Sequence, residues 1–153
     1  MMDQPEAIIR RLEQPDAPEW LRLRSALWPD ADREDLAQEL EMILQDANRQ
    51  PVFVAVRPDG GLCGIVEVSL HEHAPGCQTS PVGYLEGWYV EPTWRGQGVG
   101  RALVEAAEMW ARSQGCLEMA SDTNDEYPVS PAVHAALGYR EIERAIYFAK
   151  KLE

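Results

Sequence analysis

The chain is short of cysteine and of positive charge, and it has no long apolar run. Its three cysteines, Cys63, Cys77 and Cys116, are odd in number and widely spaced. No C-x-x-C pair or His-rich partner accompanies them, so neither a disulfide framework nor a metal site is expected. Free thiols in a reducing cytosol are the expected state. No apolar stretch approaches the roughly 18 residues of a membrane span, and the N-terminus lacks the basic-then-apolar profile of a signal peptide. A soluble, cytoplasmic protein with no membrane partner is expected. Basic residues number 14 against 26 acidic ones, a formal net charge of -12. That field repels phosphate backbones at long range and argues against a nucleic-acid partner. An acidic surface either serves solubility or lines a site for a cationic substrate, and composition leaves both open. At 153 residues the chain is expected to form a single domain, 1–153, burying roughly 68 to 70% of its unfolded surface. It carries no internal repeat and no low-complexity tract.

What stands out is the run from Val90 to Arg101, where an apolar strand enters an Arg-x-x-Gly-x-Gly turn that opens a helix. Gly96, Gly98 and Gly100 carry no side chains, so backbone N–H groups can converge on an anion, and the helix from about Val99 aims its positive end at the same point. Arg95 and Arg101 add charge beside it. A dinucleotide-binding turn spaces its glycines G-x-G-x-x-G with an acid about 20 residues later. Here they alternate G-x-G-x-G, although Glu118 or Asp122 lies at the acid's distance. No Gly-Lys-Ser/Thr exists for a Walker loop.

Elsewhere the pattern predicts a first strand over residues 7–12. A helix follows, opened by an Asp16–Glu19 capping box and carrying Trp20, Leu23, Leu27 and Trp28. A second helix is expected from Asp32, with Leu36, Leu40, Ile43 and Leu44 on one face. Alternation at Val52, Val54 and Val56, then Pro58-Asp-Gly-Gly61, predicts a hairpin with 62–70. Residues 71–81 form a loop and 83–90 a strand. Val99, Leu103, Ala106, Ala107 and Trp110 stripe the main helix, which Gly115 ends. A short strand over 116–120, a helix over 130–137 and one or two final strands over 139–152 complete the order.

The Val-x-Pro-x-x-Arg-x-x-Gly-x-Gly stretch resembles the acetyl-CoA loop of the GNAT superfamily of N-acetyltransferases, and Leu137-Gly-Tyr139 resembles its last helix-to-strand junction. The order of elements is similar too, implying an α/β (α+β) GNAT fold with a mixed central sheet, β-α-α-β-β-β-α-β-α-β(-β). Further pieces, namely Leu23-Arg-Ser-Ala-Leu-Trp28, Tyr84-Leu-Glu-Gly-Trp-Tyr-Val90, Met119-Ala-Ser-Asp-Thr123 and Val133-His-Ala-Ala-Leu-Gly-Tyr139, resemble the aminoglycoside 6'-N-acetyltransferases. The resemblance implies acetyl-CoA as co-substrate, held through the backbone of Trp88, Tyr89 and Val90 and around its pyrophosphate by Arg95, Gly96, Gln97, Gly98, Val99, Gly100 and Arg101, with Tyr127 as a further contact. It implies aminoglycoside contacts for Trp28, His73, Glu86, Asp122 and Glu143, and a homodimer with the final strands as its interface. Where the family tends to have Asn, this chain has Tyr127; where it tends to have Tyr in the long loop, this chain has His73.

The implied chemistry is acyl transfer from a thioester to an amine. Aliphatic amines are mostly protonated at neutral pH, and carboxylates that attract the cation raise its pKa further, so a proton acceptor is required. Glu86, in an apolar run where an unpaired carboxylate is costly, is the expected acceptor, directly or through water. The backbone N–H near Tyr89 is expected to polarise the thioester carbonyl. Many GNAT enzymes place a tyrosine acid where this chain has His134. His134 is therefore either the donor to the thiolate or a packed helix residue, with Tyr147 and Tyr127 as substitutes. Cys116 has no adjacent base and reads as core, so direct transfer in a ternary complex is expected. Two other readings remain: acetylation of another cationic amine, such as a polyamine, lysine or peptide N-terminus, and a non-catalytic acyl-CoA sensor.

Overall fold

The computed structural model describes residues 6–124, 127 and 129–153. Five strands form one mixed sheet in the order β1 (Ile8–Arg11), β2 (Val52–Val56), β3 (Leu62–His71), β4 (Val82–Val90), β5 (Met119–Ser121). The first three pairings are antiparallel and β4–β5 is parallel. Residues Leu62 to Ser69 of β3 are all buried, as expected of a central strand covered on both faces.

One face carries α1 (Ala17–Leu27) and α2 (Arg33–Gln45), the other α3 (Val99–Ser113). Trp20 and Leu23 of α1 and Leu40 of α2 close over Val52, Val54 and Ile65. On the opposite face Val99, Leu103, Val104, Ala107 and Ala111 pack on Val66, Val68 and Leu85. Ala106 of the expected stripe is only half-buried, and Val104 takes the inner position instead.

Helix ends follow local chemistry. Asp32 caps α2, accepting from the amides of Glu34 (2.8 Å) and Asp35 (3.2 Å), which satisfies two of the donors a helix start leaves open. The expected Asp16–Glu19 box does not form. Asp16 instead accepts from the Glu13 amide (2.8 Å) and from Arg10 (2.7 Å), and with Glu13 it boxes a 3-10 turn at Gln14–Asp16. Glu19 is drawn to Arg22 (2.6 Å) and the Leu62 amide (3.1 Å). At the far end of α3, Gly115 adopts φ 88°, its amide bonds Arg112 O and the Cys116 amide bonds Ala111 O, each at 3.0 Å. That Schellman arrangement absorbs Cys116, so β5 starts three residues later than the sequence pattern predicts.

The final strands are absent among the described residues. Beyond α4 (Ser130–Ala136) the chain from Arg140 on is exposed, with Ile146 at 82%, Tyr147 and Phe148 at 91% and Leu152 at 88% of full exposure. A strand needs a neighbouring edge to pair with, and this segment pairs with none among the described residues. It does meet the long loop between β3 and β4: a Cβ added to Gly76 would lie 2.6 Å from Ile142. No helix of the described residues is long and apolar enough to cross a membrane.

Candidate active site

The site is organised by an irregularity in β4. Glu67 of β3 pairs with Gly87 and Val68 pairs with Leu85, so Glu86 is an extra residue in the ladder. Such a bulge breaks the strict in–out alternation of a strand. Leu85 packs on the α3 face and Trp88 with it, while Gly87 approaches Leu27 and Trp28 of the α1 side. Glu86 is neither buried nor unpaired, contrary to the expectation from its apolar surroundings. Its Oε1 accepts from Ser69 Oγ at 2.5 Å and lies 2.6 Å from His71 Nε2. The His71 ring stacks on Tyr84, centroids 4.2 Å apart and planes 10° apart, and the Tyr84 hydroxyl donates to Asp122. Burial, and then Asp122 as acceptor, raise the Tyr84 phenol well above its ordinary pKa, so it stays a neutral donor.

Behind this polar row lies a buried ion pair. Arg24, 2% exposed, donates from Nε to Glu67 Oε2 at 2.7 Å and from NH2 to Oε1 at 3.2 Å, and Trp20 Nε1 donates to Oε2 at 2.8 Å. Burial works against the Arg24 charge, but its hydrogen bonds to Glu67, with help from Glu39, outweigh it and its pKa is raised overall. The guanidinium also sits 4.9 Å from the centre of the Trp28 ring. Trp28 in turn covers Gly87, where a Cβ would stand 2.8 Å from the indole. Only glycine admits that contact, so the sequence Glu86-Gly87 fits the bulge to its cover. Tyr127 donates to Leu27 O at 2.6 Å, which draws the loop after β5 to the end of α1. Trp28, Glu86 and Asp122 are thus gathered on one side of the sheet, around Tyr84 and Gly87. His73 and Glu143 are exposed and form no hydrogen bond with a described residue.

At the other end of β4 the strand leaves toward the glycine turn. Glu91 receives Arg22 and Arg57, each at 3.1 Å, and its amide bonds Cys63 O at 2.8 Å, which fixes the exit. Arg95 turns back to Val90 O (2.8 Å) and lies over Tyr89; Gln97 donates to Thr93 O (3.1 Å), and Arg101 to Ala136 O (3.2 Å). Gly96 and Gly98 adopt φ 77° and 85°, and Gly98 caps α3. The backbone amides from Gly96 to Arg101 donate to no described residue, and the first bond into the helix is Ala102 N to Gly98 O at 3.0 Å. These are the converging donors and positive helix end that a diphosphate requires.

Between turn and polar row, β4 is open along one edge. β5 pairs only with Gly83, Tyr84 and Leu85, so the stretch Glu86 to Val90 has no ladder partner on that side among the described residues. Trp88 lines this opening with its buried Nε1 unpartnered among the described residues. His134 stands beside it, edge-on to Trp88 at 5.5 Å. Its Nδ1 lies 2.8 Å from Ser130 O, which can only accept, so Nδ1 carries the proton; Nε2 then faces Ser121 Oγ at 2.9 Å. Unsatisfied strand amides, an orphaned indole donor and an anion-ready turn together suit a long ligand with amide groups and a diphosphate, which is the chemistry of CoA.

Residues 10–139 match the model of the Acetyltransferase (GNAT) family. The chain belongs to this family. Among GNAT proteins it is 48% identical over 146 residues, 95% of this chain and 94% of its relative, to "Aminoglycoside N(6')-acetyltransferase type 1" from Stenotrophomonas maltophilia. Among solved GNAT structures it is similar to AAC(6')-Iy in complex with the bisubstrate analog CoA-S-monomethyl-acetylneamine, with a TM-score of 0.86, 38% identity and coverage of 95% of this chain and 99% of the other. The same enzyme in complex with CoA gives a TM-score of 0.89 at 37% identity, covering 99% of both chains.

Within the GNAT frame, the glycine turn and three of the five expected acceptor contacts come together. Ser69, His71, Tyr84 and the Arg24–Glu67 pair escaped the sequence reading. The signal was present in β3: Glu67, Ser69 and His71 recur at intervals of two, placing three polar side chains on one face of an otherwise apolar strand. Cys63 and Cys116 are buried. Burial pushes the Cys63 thiol up to about 11 and raises that of Cys116 as well, which disfavours the thiolate nucleophile.

Proposed function

We propose that this protein is an acetyl-CoA-dependent N-acetyltransferase that acetylates the 6'-amine of aminoglycoside antibiotics by direct transfer in a ternary complex. The observation that carries this reading is Glu86, an exposed carboxylate set in a bulge beside Asp122, at one end of a β4 edge whose other end leads into the diphosphate-ready turn. It agrees with the activities for which the related enzymes are named. A polyamine sugar meets several carboxylates here, each close pair contributing about 1 kcal/mol in bulk water or about 4 at an effective dielectric of 20.

In this reading the amides from Gly96 to Arg101 hold the diphosphate of acetyl-CoA, and the open edge at Trp88, Tyr89 and Val90 receives the pantetheine arm. Glu86 takes the proton from the bound ammonium, directly or through water. The freed amine attacks the thioester carbonyl, whose oxygen is polarised by the backbone N–H near Tyr89. His134, in the form protonated on Nε2 as well as Nδ1, is the donor to the departing thiolate, its Nδ1–H held by Ser130 O and its Nε2 beside Ser121. Trp28, His73, Asp122 and Glu143 supply the remaining acceptor contacts. The protein works as a homodimer in the cytoplasm, its exposed C-terminal segment covered by a second copy.

The test is thiol release from acetyl-CoA with kanamycin or tobramycin, compared with spermidine and a lysine peptide, at increasing salt. The aminoglycosides should be preferred, and their KM should climb as the Debye length falls below about 8 Å. Preference for spermidine or the peptide would move the proposal to another amine, and CoA binding without acceptor-dependent release would point to a sensor. Glu86→Gln should lose about 100- to 10,000-fold in kcat; an unchanged kcat and pH profile would remove Glu86 from the role of base.

A further inference from the structure

The reading of Glu86 as the acceptor's carboxylate leaves a question about the imidazole that already occupies it. His71 ends β3, and its Nε2 stands 2.6 Å from Glu86 Oε1. Ser69 Oγ reaches the same oxygen at 2.5 Å, so among the described residues both side-chain bonds fall on Oε1 and Oε2 is left for an incoming ligand. The stack on Tyr84 fixes the plane of the imidazole, and the Tyr84 hydroxyl is committed to Asp122. One continuous row therefore joins the two carboxylates, from Asp122 through Tyr84 and His71 to Glu86.

We propose that His71 is a positioning residue for Glu86, and that the ammonium of the bound aminoglycoside displaces a proton from it. This rests on the acetyltransferase reading given above. A neutral imidazole donates Nε2–H to Oε1, holds the carboxylate in place and leaves its full negative charge for the substrate. An imidazolium makes the same bond but neutralises Glu86 and opposes a second cation. Binding therefore favours the neutral ring, and the proton passes from His71 to the buffer. The charged and titratable groups around His71 are Glu86 and Tyr84 from β4, Asp122 after β5 by way of Tyr84, and Glu72 and His73 in the loop that follows. Tyr147 of the C-terminal segment lies within electrostatic reach of Tyr84. No Arg or Lys among the described residues bonds Glu86, and His71 is its one ionisable partner among them.

Calorimetry of kanamycin binding to the CoA-loaded enzyme at pH 6, in buffers of different ionisation enthalpy, reads the displaced proton directly, because at that pH the drug's amines are already charged. Wild type should release a fraction of one proton per drug, and its affinity should weaken about fourfold between pH 7.5 and pH 6. His71→Gln, which keeps an N–H donor without the titration, should lose that release and flatten the affinity profile. At pH 8 it should also retain kcat better than His71→Ala. In wild type, the His71 ring resonances should shift to the neutral form when kanamycin is added at pH 6, a readout that needs no variant. Proton release that is unchanged in His71→Gln, or ring resonances that do not move, would overturn the proposal while leaving the acetyltransferase reading intact. Absence of both kanamycin binding and kanamycin turnover in wild type would sink that reading, and this inference with it.

Discussion

The two faces of the sheet are built on different principles. Under α3 the packing is dominated by apolar side chains, from Val66, Val68 and Leu85 to Leu103, Ala107 and Ala111. Under α1 and α2 an apolar cluster around Trp20 and Leu23 adjoins the buried Arg24–Glu67 pair, and beyond it come Ser69, His71 and Glu86. Burial alone holds the first face, and it tolerates changes that conserve volume. Directional bonds hold the second, and these lose far more when one partner goes than when both do. The proposed acceptor site lies on the directional face, where Glu86, Asp122 and Trp28 are held by Ser69, His71, Tyr84 and Arg24.

The comparison is broken most severely by Glu67→Ala, which strands the Arg24 charge in the interior. About 3 to 5 kcal/mol of stability should disappear in urea unfolding, whereas the paired change Arg24→Met with Glu67→Leu should recover most of it. Failure of the pair to recover would mean that the bonds themselves, rather than the uncompensated charge, set the cost. On the apolar face Leu103→Ala should cost about 2 to 5 kcal/mol through cavity formation. No second substitution is expected to rescue it except one that refills the space. A smaller effect is expected from Gly98→Ala, where nothing lies within 4 Å of a new Cβ. The φ of 85° alone should cost about 1 to 2 kcal/mol, read as weaker CoA binding by calorimetry with little change in kanamycin affinity.

The smallest effect concerns acid. Hydrogen bonds from Arg10, aided by the Glu13 amide, hold the Asp16 carboxyl below the usual carboxylate range. An unfolded aspartate titrates near 3.9, so this stabilisation is complete above that value and fades as pH falls through the lower folded one. Asp16→Asn should cost about 1 kcal/mol at neutral pH and make the acid limb of the stability profile shallower. An unaltered acid limb would show that the Arg10–Asp16 contact contributes nothing.

Legibility followed the same division. Most of the α3 stripe, the start of α2 near Asp32 and the glycine turn were plain in the sequence, because periodicity and local backbone chemistry fix each of them within one stretch of chain. Arg24 and Glu67 are 43 residues apart, and no local pattern announces their pairing. Asp16 has the spacing of a capping box toward Glu19, but Arg10, from the strand before, takes its carboxylate. Residues 139–152 read as strand because their apolar residues suit one, yet pairing is a property of two segments, and among the described residues these pair with no strand. Glu86 was picked out for the wrong reason: an apolar run suggested burial, whereas the bulge turns the carboxylate to the exposed side.

That extra residue in β4 has a consequence for how such a chain can vary. Deleting one position between Val82 and Val90 would restore regular pairing and swing Glu86 or Gly87 away from Trp28, so length there is under tight constraint. The start of the loop after β3, around Glu72 and His73, carries no such frame, whereas Gln78 and Thr79 are bonded to Glu118 and Gly76 packs on Ile142. Insertions, losses and exchanges around His73 can accumulate while the ladder stays in step. If the proposed activity holds, changes in acceptor preference should therefore arise in that loop, with the strand that carries Glu86 left untouched.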